Sequence, residues 1–279
     1  MFRLALLCCA SLAIATPARA LANGWAEARA PADGRAEAIG TYTRGCVRGA
    51  AALPLKGPGF QVIHPSRKRY FGHPDLIAMV RGLGKRLARA RLRPLTVADL
   101  AQPRGGPAPN GHASHQTGLD ADLWFRPAPR RMSRRKRESF AHRAIVDIRR
   151  KRTTRFFTRR VVRMLRFAAE DTRVNRIFVN PLIKRELCRR TRGQERDWLR
   201  KIRPWYGHAA HFHVRLSCPA GDRQCKPQPA LPAGDGCDKL DYWFDERAQA
   251  QRRKGRERYR KAVASEPTLP AACDAVLAD

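Results

Sequence analysis

Acidic residues are scarce in this 279-residue chain: 24 Asp and Glu stand against 57 Lys and Arg, a formal net charge of +33. An excess of that size excludes a neutral surface and implies attraction to a polyanion. Long apolar runs are scarce too. Beyond the first twenty residues no stretch approaches the ~20 apolar residues a membrane helix needs, which argues against a helical span in the rest of the chain. The sequence contains no C-x-x-C, the spacing of common thiolate metal sites, and no internal repeat of the kind that builds a solenoid.

The one long apolar run sits at the start. Arg3 precedes LALLCCASLAIA, and Ala18-Arg19-Ala20 follows as an A-x-A cleavage pattern, so residues 1–20 read as a signal peptide and 21–279 as one exported domain. Export changes how the cysteines are read. Cys46, Cys188, Cys218, Cys225, Cys237 and Cys273 remain after cleavage, and an even number in an oxidising compartment predicts three disulfides. Cys218 and Cys225 bracket a short loop and form the easiest local pair; the other pairings stay open at this level. The positive charge concentrates in Arg130 to Arg137, Arg149 to Arg152 and Gln251 to Lys261. For an exported chain these runs would meet anionic cell-envelope polymers before nucleic acid, so no nucleic-acid partner is expected.

Apolar periodicity predicts helices over His73 to Leu92, Glu138 to Arg150, Phe157 to Glu170 and Leu182 to Arg189, and strands over PLTVADL and Val174 to Val179. AQPRGGPAPNG is a Gly/Pro loop. From Cys218 onward Pro, Gly, Cys and charge dominate, which suggests a stapled tail rather than a second core. Strand-borne polar groups with flanking helices argue for an α+β fold, here expected to be a central antiparallel sheet carrying a single metal site.

Five of the eight histidines fall in two segments, GHASHQTGLDADLW (Gly111 to Trp124) and HAAHFHVRL (His208 to Leu216). Each alternates as a strand: Leu119, Ala121 and Leu123 oppose Asp120 and Asp122, and Phe212, Val214 and Leu216 oppose His211 and His213. His115 precedes Gly118, which permits a close turn, and Asp122 follows on the polar face. His115, Asp122 and His213 give two imidazoles and one carboxylate, the ligand set of a catalytic zinc with an open position. His211 and His208 are placed to move a proton or stabilise an oxyanion. Asp120 shares the face of Asp122 and is expected to orient a ligand histidine from behind. His112 has three readings: a second metal, a hydrogen bond to substrate, or support of its loop. His64, His73 and His142 read as ordinary surface histidines.

These segments resemble the penicillin-insensitive murein endopeptidases, a branch of the lysostaphin, D-alanyl-D-alanine peptidase and hedgehog-like zinc peptidases. GHASHQTGLD, RIFVNP, RDWLRK-RPW, H-x-x-H-x-HVRL-CPA, GDGC (Gly234 to Cys237) and LP-x-x-C (Leu269 to Cys273) carry the resemblance, in order, over essentially the whole mature chain. It implies a periplasmic zinc endopeptidase that cuts peptidoglycan cross-links between D-alanine and meso-diaminopimelate without a nucleophilic serine. It also implies zinc on His115, Asp122 and His213, catalytic roles for His211 and His208, and the pairs Cys46 with Cys273, Cys188 with Cys237 and Cys218 with Cys225. The chain departs from the family pattern in two ways: its extreme basicity is not something the pattern requires, and one metal-binding element is missing. A further metal-binding D-x-x-H is expected near residue 147, but Asp147 is followed by Ile148, Arg149 and Arg150, so one zinc per chain is expected and His112 is left to substrate.

Two other readings compete. A secreted metal-dependent nuclease would use the basic runs to grip a phosphodiester. A non-catalytic wall-binding protein would close its zinc with a fourth ligand, and only three convincing ligands are found. For the cysteines, thiol titration of the denatured mature protein is expected to find no free thiol; two or more would contradict the disulfide reading.

Overall fold

The computed structural model describes residues 24–109, 113–129, 132–191, 193–264 and 268–279. The predicted signal peptide, His112, Arg130 and Arg131 lie outside them. A hairpin opens the described chain, β1 (Glu37–Thr41) and β2 (Arg44–Arg48). The remaining strands that matter are β3 (Lys56–Gly57), β4 (Phe60–Val62), β5 (Leu95–Val97), β6 (Asp120–Trp124), β7 (Val174–Val179), β8 (Ile202–Pro204) and β9 (His211–Leu216). They form one seven-stranded sheet in the order β8-β7-β9-β6-β5-β4-β3.

The fold is mixed α and β, but the sheet is not antiparallel throughout as expected. β4 with β5 and β7 with β8 run parallel, while β7 with β9, β9 with β6 and β6 with β5 are antiparallel. The cause is connectivity. Helix α1 (Pro74–Arg89) carries the chain from β4 to β5, and α3 (Pro181–Arg190) with a 3-10 segment (Gly193–Lys201) carries it from β7 to β8. A crossover of that kind carries the chain back to the end at which the first strand began, which makes the two strands parallel. Alternation of side chains reports a strand's faces and is silent on its direction.

Helix α1 buries Leu76, Val80, Leu83 and Leu87, a stripe at helical spacing, and α2 (Arg159–Ala169) buries Val161, Met164, Leu165 and Ala168. One hydrophobic cluster joins these stripes to Leu119, Ala121 and Leu123 of the β6 segment and to Phe212, Val214 and Leu216 of β9. The apolar face of the central strands therefore makes the core, and their other face is left for polar groups. His73 is not a surface histidine: it is buried, caps α1 by accepting from the Asp75 amide through Nδ1 at 3.2 Å, and sets Nε2 3.6 Å from Asp222.

The helix expected over Glu138 to Arg150 is absent. A five-residue helix (Arg134–Glu138) stands before it, and Val146–Asp147 pairs with Arg152–Thr153. Ile145 donates its amide to Ala209, and Ile148 is 57% exposed, so the apolar residues that suggested a helical stripe serve different neighbours. The tail is stapled by disulfides as expected, and it also contains helices α4 (Glu246–Ala264) and α5 (Ala272–Ala278), the second bonded to the N-terminal hairpin through Cys46–Cys273 across 227 residues of sequence. Cys188–Cys237 and Cys218–Cys225 are the other two disulfides. No helix among the described residues is long and apolar enough to cross a membrane.

Lys184 of α3 is fully buried and donates Nζ to the carbonyls of Leu199 at 2.7 Å and Asp235 at 2.5 Å, joining the helix to the loop that carries Cys237. Burial pushes its pKa down to about 7, with Asp235 opposing. An unfolded lysine keeps its proton to about 10.4, so between these values the unfolded chain binds more protons and stability rises with pH. Relative to Lys184→Met, the parent should gain up to about 1.4 kcal/mol per pH unit from about pH 7 to about pH 9, and nothing below pH 6. Urea denaturation across that range checks this; a constant difference overturns it.

Candidate active site

The site lies where β6 and β9 pair. Their register sets His213 opposite Asp122 and Arg215 opposite Asp120, and alternation points all four side chains to the polar face. Asp122 is fixed at the backbone as well, donating its amide to Asp99 at 2.8 Å and accepting from Ala98 at 3.0 Å.

His115 is delivered by the turn before β6, in a left-handed conformation with φ 74. Its amide donates to Asp120 Oδ2 at 3.1 Å, and its Nδ1 lies 3.2 Å from the Asp120 carbonyl. That contact assigns the proton to Nδ1 and leaves Nε2 as an acceptor, 3.5 Å from Asp122 Oδ2. The turn depends on close backbone approach: a Cβ on Gly105 would stand 1.9 Å from the Gln116 carbonyl, and Gly118 has φ 69. From the hairpin, the Gly45 amide donates to Gln116 Oε1 at 3.2 Å. The Gly/Pro loop and the hairpin together hold the turn in place.

His213 is turned the other way. Its Nε2 contacts Asp120 Oδ1 at 2.9 Å, and its Nδ1 lies 3.0 Å from Asp122 Oδ1. Donor atoms of His115, Asp122 and His213 all lie within 4.8 Å of one another, and all three residues are buried. Two imidazole nitrogens and a carboxylate this close together, with both imidazoles held from behind by Asp120, fit a divalent metal.

The electrostatics follow from burial among charges. Burial alone would raise the pKa of Asp120, but Arg215 and His213 outweigh it and hold the carboxyl far below its ordinary range. Asp122 is likewise held down by His211, His115 and His213 against its burial. Burial opposes charge on His213, yet Asp120 and Asp122 prevail and push it up to about 9. Metal binding must displace that proton.

His211 and His208 flank the cluster. His211 Nε2 stands 3.6 Å from Asp122 Oδ1. His208 places Nδ1 3.0 Å from the Tyr206 carbonyl, which leaves Nε2 as an acceptor, and its ring lies 4.9 Å from that of His211. Burial, aided by His211 and His213, pushes His208 down to about 3, so its imidazole is neutral at neutral pH. Asn180 explains the order of this segment: it caps α3 through Leu182, donates Nδ2 to the Gly207 carbonyl at 2.8 Å, and donates its amide to the His208 carbonyl at 3.3 Å.

The structure thus brings together His115, Asp122, His213, Asp120, His211 and His208; His112 lies outside the described residues. Sequence reasoning missed Arg215, which forks onto Asp120 with Nε at 2.7 Å and Nη2 at 3.2 Å. It also missed Tyr42 and Phe178, whose rings hold the Arg215 guanidinium at 4.2 and 5.3 Å. Arg215 was detectable, since it continues the i, i+2 polar face of His211 and His213. Tyr42 was not, because it arrives from the distant hairpin.

The chain matches the family model described as penicillin-insensitive murein endopeptidase over residues 38–278. It is 47% identical over 215 residues to the penicillin-insensitive murein endopeptidase of Haemophilus influenzae, covering 76% of this chain and 75% of that protein. It is 41% identical over 244 residues to the protein of the same name from Klebsiella pneumoniae subsp. pneumoniae, covering 87% and 86%. With that of Yersinia enterocolitica the identity is 38% over 276 residues, covering 98% and 94%.

Because Asp120 holds both His213 and Arg215, its replacements should separate two effects. Asp120→Asn keeps the shape and should weaken metal binding about 10- to 100-fold, read by chelator competition. Both replacements remove the counter-charge of buried Arg215, and Asp120→Ala, which also removes its acceptor oxygens, should cost the more in urea denaturation, about 3–5 kcal/mol. Parent-like metal affinity in Asp120→Asn would show that Asp120 does not orient the ligand.

Proposed function

We propose, since the chain belongs to the penicillin-insensitive murein endopeptidase family and is thus a peptidase that cleaves peptidoglycan, that it is a zinc enzyme of the periplasm cutting cross-links between D-alanine and meso-diaminopimelate. The observation that carries this reading is the convergence of His115, Asp122 and His213 donor atoms within 4.8 Å on one buried sheet face. Two imidazoles and a carboxylate are a ligand set of catalytic zinc, and three protein ligands leave a position for chemistry. When bound, zinc supplies Lewis acidity and brings the pKa of water down to about 7.

The chain's own groups do the rest. His211, from the edge of the cluster, takes a proton from the attacking water at Nε2 and returns it to the amine that departs as the C–N bond breaks. His208, held neutral, offers its Nε2 lone pair and orients the groups around the reacting carbonyl. Asp120 keeps the His213 ring fixed during turnover, and Arg215 keeps Asp120 ionised. No nucleophilic side chain is needed, which accounts for a name that specifies insensitivity to penicillin. One zinc per chain is proposed, with His112 serving substrate. Export through the predicted signal peptide at residues 1–20 would deliver the enzyme to its polymer. The basic surface, including exposed Arg134 and Arg135, would hold it to anionic envelope polymers at long range.

The purified mature protein should hold about one zinc and release peptide-cleaved fragments from sacculi, with activity lost to a chelator. His115→Ala, Asp122→Ala and His213→Ala should each lose zinc and activity together, whereas His211→Ala should keep zinc and lose about 10²- to 10⁴-fold in rate. Full zinc occupancy in the three ligand variants, by elemental analysis, would sink the assignment. Sacculus binding should fall steeply with salt while turnover of a small uncharged fragment changes little. Equal salt dependence of the two would place the basic surface in the chemistry rather than in attachment.

A further inference from the structure

An aromatic path leads away from the site and ends in solvent. Phe178, opposite His213 across β7 and β9, packs its ring 5.5 Å from His213 and 5.7 Å from Trp205. Trp205 follows β8 and lies 6.3 Å from Trp243, which also meets Tyr206 at 5.1 Å and Tyr242 at 5.9 Å. Trp205 is 55% exposed and Tyr242 47%, and these are two of the three large apolar side chains left open among the described residues. Beside them is an open groove of about 520 Å³ lined by Asp238, Lys239, Asp241, Tyr242 and Trp243.

The platform is built rigidly. Cys188–Cys237 ties its loop to α3, Lys184 holds the Asp235 carbonyl, Tyr206 donates its hydroxyl to the Trp243 carbonyl at 3.1 Å, and Arg185 covers Phe244 at 4.5 Å. Tyr206 also holds His208 through its carbonyl, so the platform and the catalytic edge share one backbone segment. Exposed rings on a fixed support serve folding poorly, and a patch of this kind marks a binding surface.

We infer that Trp205, Tyr242 and Trp243 form a saccharide subsite that holds the glycan strand of the substrate while the cross-link lies at His115, Asp122 and His213. This rests on the peptidoglycan-peptidase reading and deepens it. Aromatic faces carry partial negative charge and attract the C–H face of a sugar ring. Carboxylates of Asp238 and Asp241 accept hydrogen bonds from hydroxyl and acetamido groups. Charge favours the glycan over the peptide as occupant: with Asp238 and Asp241 against Lys239 the lining is net acidic, which disfavours the carboxylates of a stem peptide, whereas the glycan rings are neutral donors.

The test uses the zinc-loaded mature chain and two substrates: a cross-linked muropeptide dimer bearing its disaccharides, and the same dimer with the sugars removed by an amidase. The parent should prefer the sugar-bearing dimer in kcat/KM. Trp205→Ala and Tyr242→Ala should shrink that preference about tenfold, chiefly through KM, and Trp205→Phe should retain most of it. Independently, oligomers of N-acetylglucosamine should quench the parent's tryptophan fluorescence saturably, and Tyr242→Ala should weaken that binding. An unchanged preference in both alanine variants, or absence of quenching, overturns the subsite; a patch that instead docks a protein would give that result. A parent inactive on both dimers would overturn the peptidase reading, with the oligosaccharide titration still judging the groove.

Discussion

The arrangement turns on Asp120, a carboxylate with no exposure to solvent. It accepts from the His115 amide, takes the His115 ring on its carbonyl, contacts the His213 ring and receives the fork of Arg215. Burying an ionised carboxylate is costly unless paired and hydrogen-bonded, and here every partner belongs to the site. The same contacts that offset the cost of burial set the rotation of both imidazoles. Arg215 is what keeps the carboxyl ionised, and the rings of Tyr42 and Phe178 that enclose it keep water from competing.

That constraint reaches outward through the fold. His115 sits on a turn whose close backbone contacts require glycine at 105 and 118, and the turn is braced by a hairpin that is covalently tied to the C-terminal helix. Asn180 does the same on the other side, joining the start of α3 to the backbone of Gly207 and His208. Asp122 and His213 are therefore held by paired strands, His211 by the first position of β9, and His115 and His208 by a turn and a loop pinned through polar side chains. Ligands gain from rigidity, and partners in proton transfer gain from placement at an accessible edge.

Charge and aromatic surface divide the remaining work between them. Charge of the kind in the basic runs acts at long range and is screened within a Debye length of about 8 Å at physiological ionic strength, so the attachment proposed for it would bear on encounter with an anionic polymer. Taken alone, they suited a nuclease equally well; the His/Asp spacing and the family match distinguish the two. The rings at Trp205, Tyr242 and Trp243 act only in contact. On a protein of this charge, the net acidic groove of the proposed subsite would favour a neutral face of the polymer.

Much of the site was legible in the residues. Strict alternation in Asp120 to Trp124 and His211 to Leu216 gives the polar face whatever the sheet around it, because successive strand side chains point to opposite sides. Helices α1, α2 and α3 were visible for the matching reason, an apolar stripe at helical spacing. The helix read at Glu138 to Arg150 failed because Phe140, Ile145 and Ile148 never share one neighbour, and periodicity cannot report what a residue packs against. Long-range partners were invisible in the same sense: Tyr42 against Arg215, and Trp205 against Trp243, are joined only by folding. The sequence by itself determined the donor chemistry, the polar face of each site strand and the need for a turn at Gly118. Tertiary structure alone decided the mixed direction of the sheet, the register that sets His213 opposite Asp122 and the proton assignment on each ring, because these depend on crossovers and buried contacts between segments far apart in the chain.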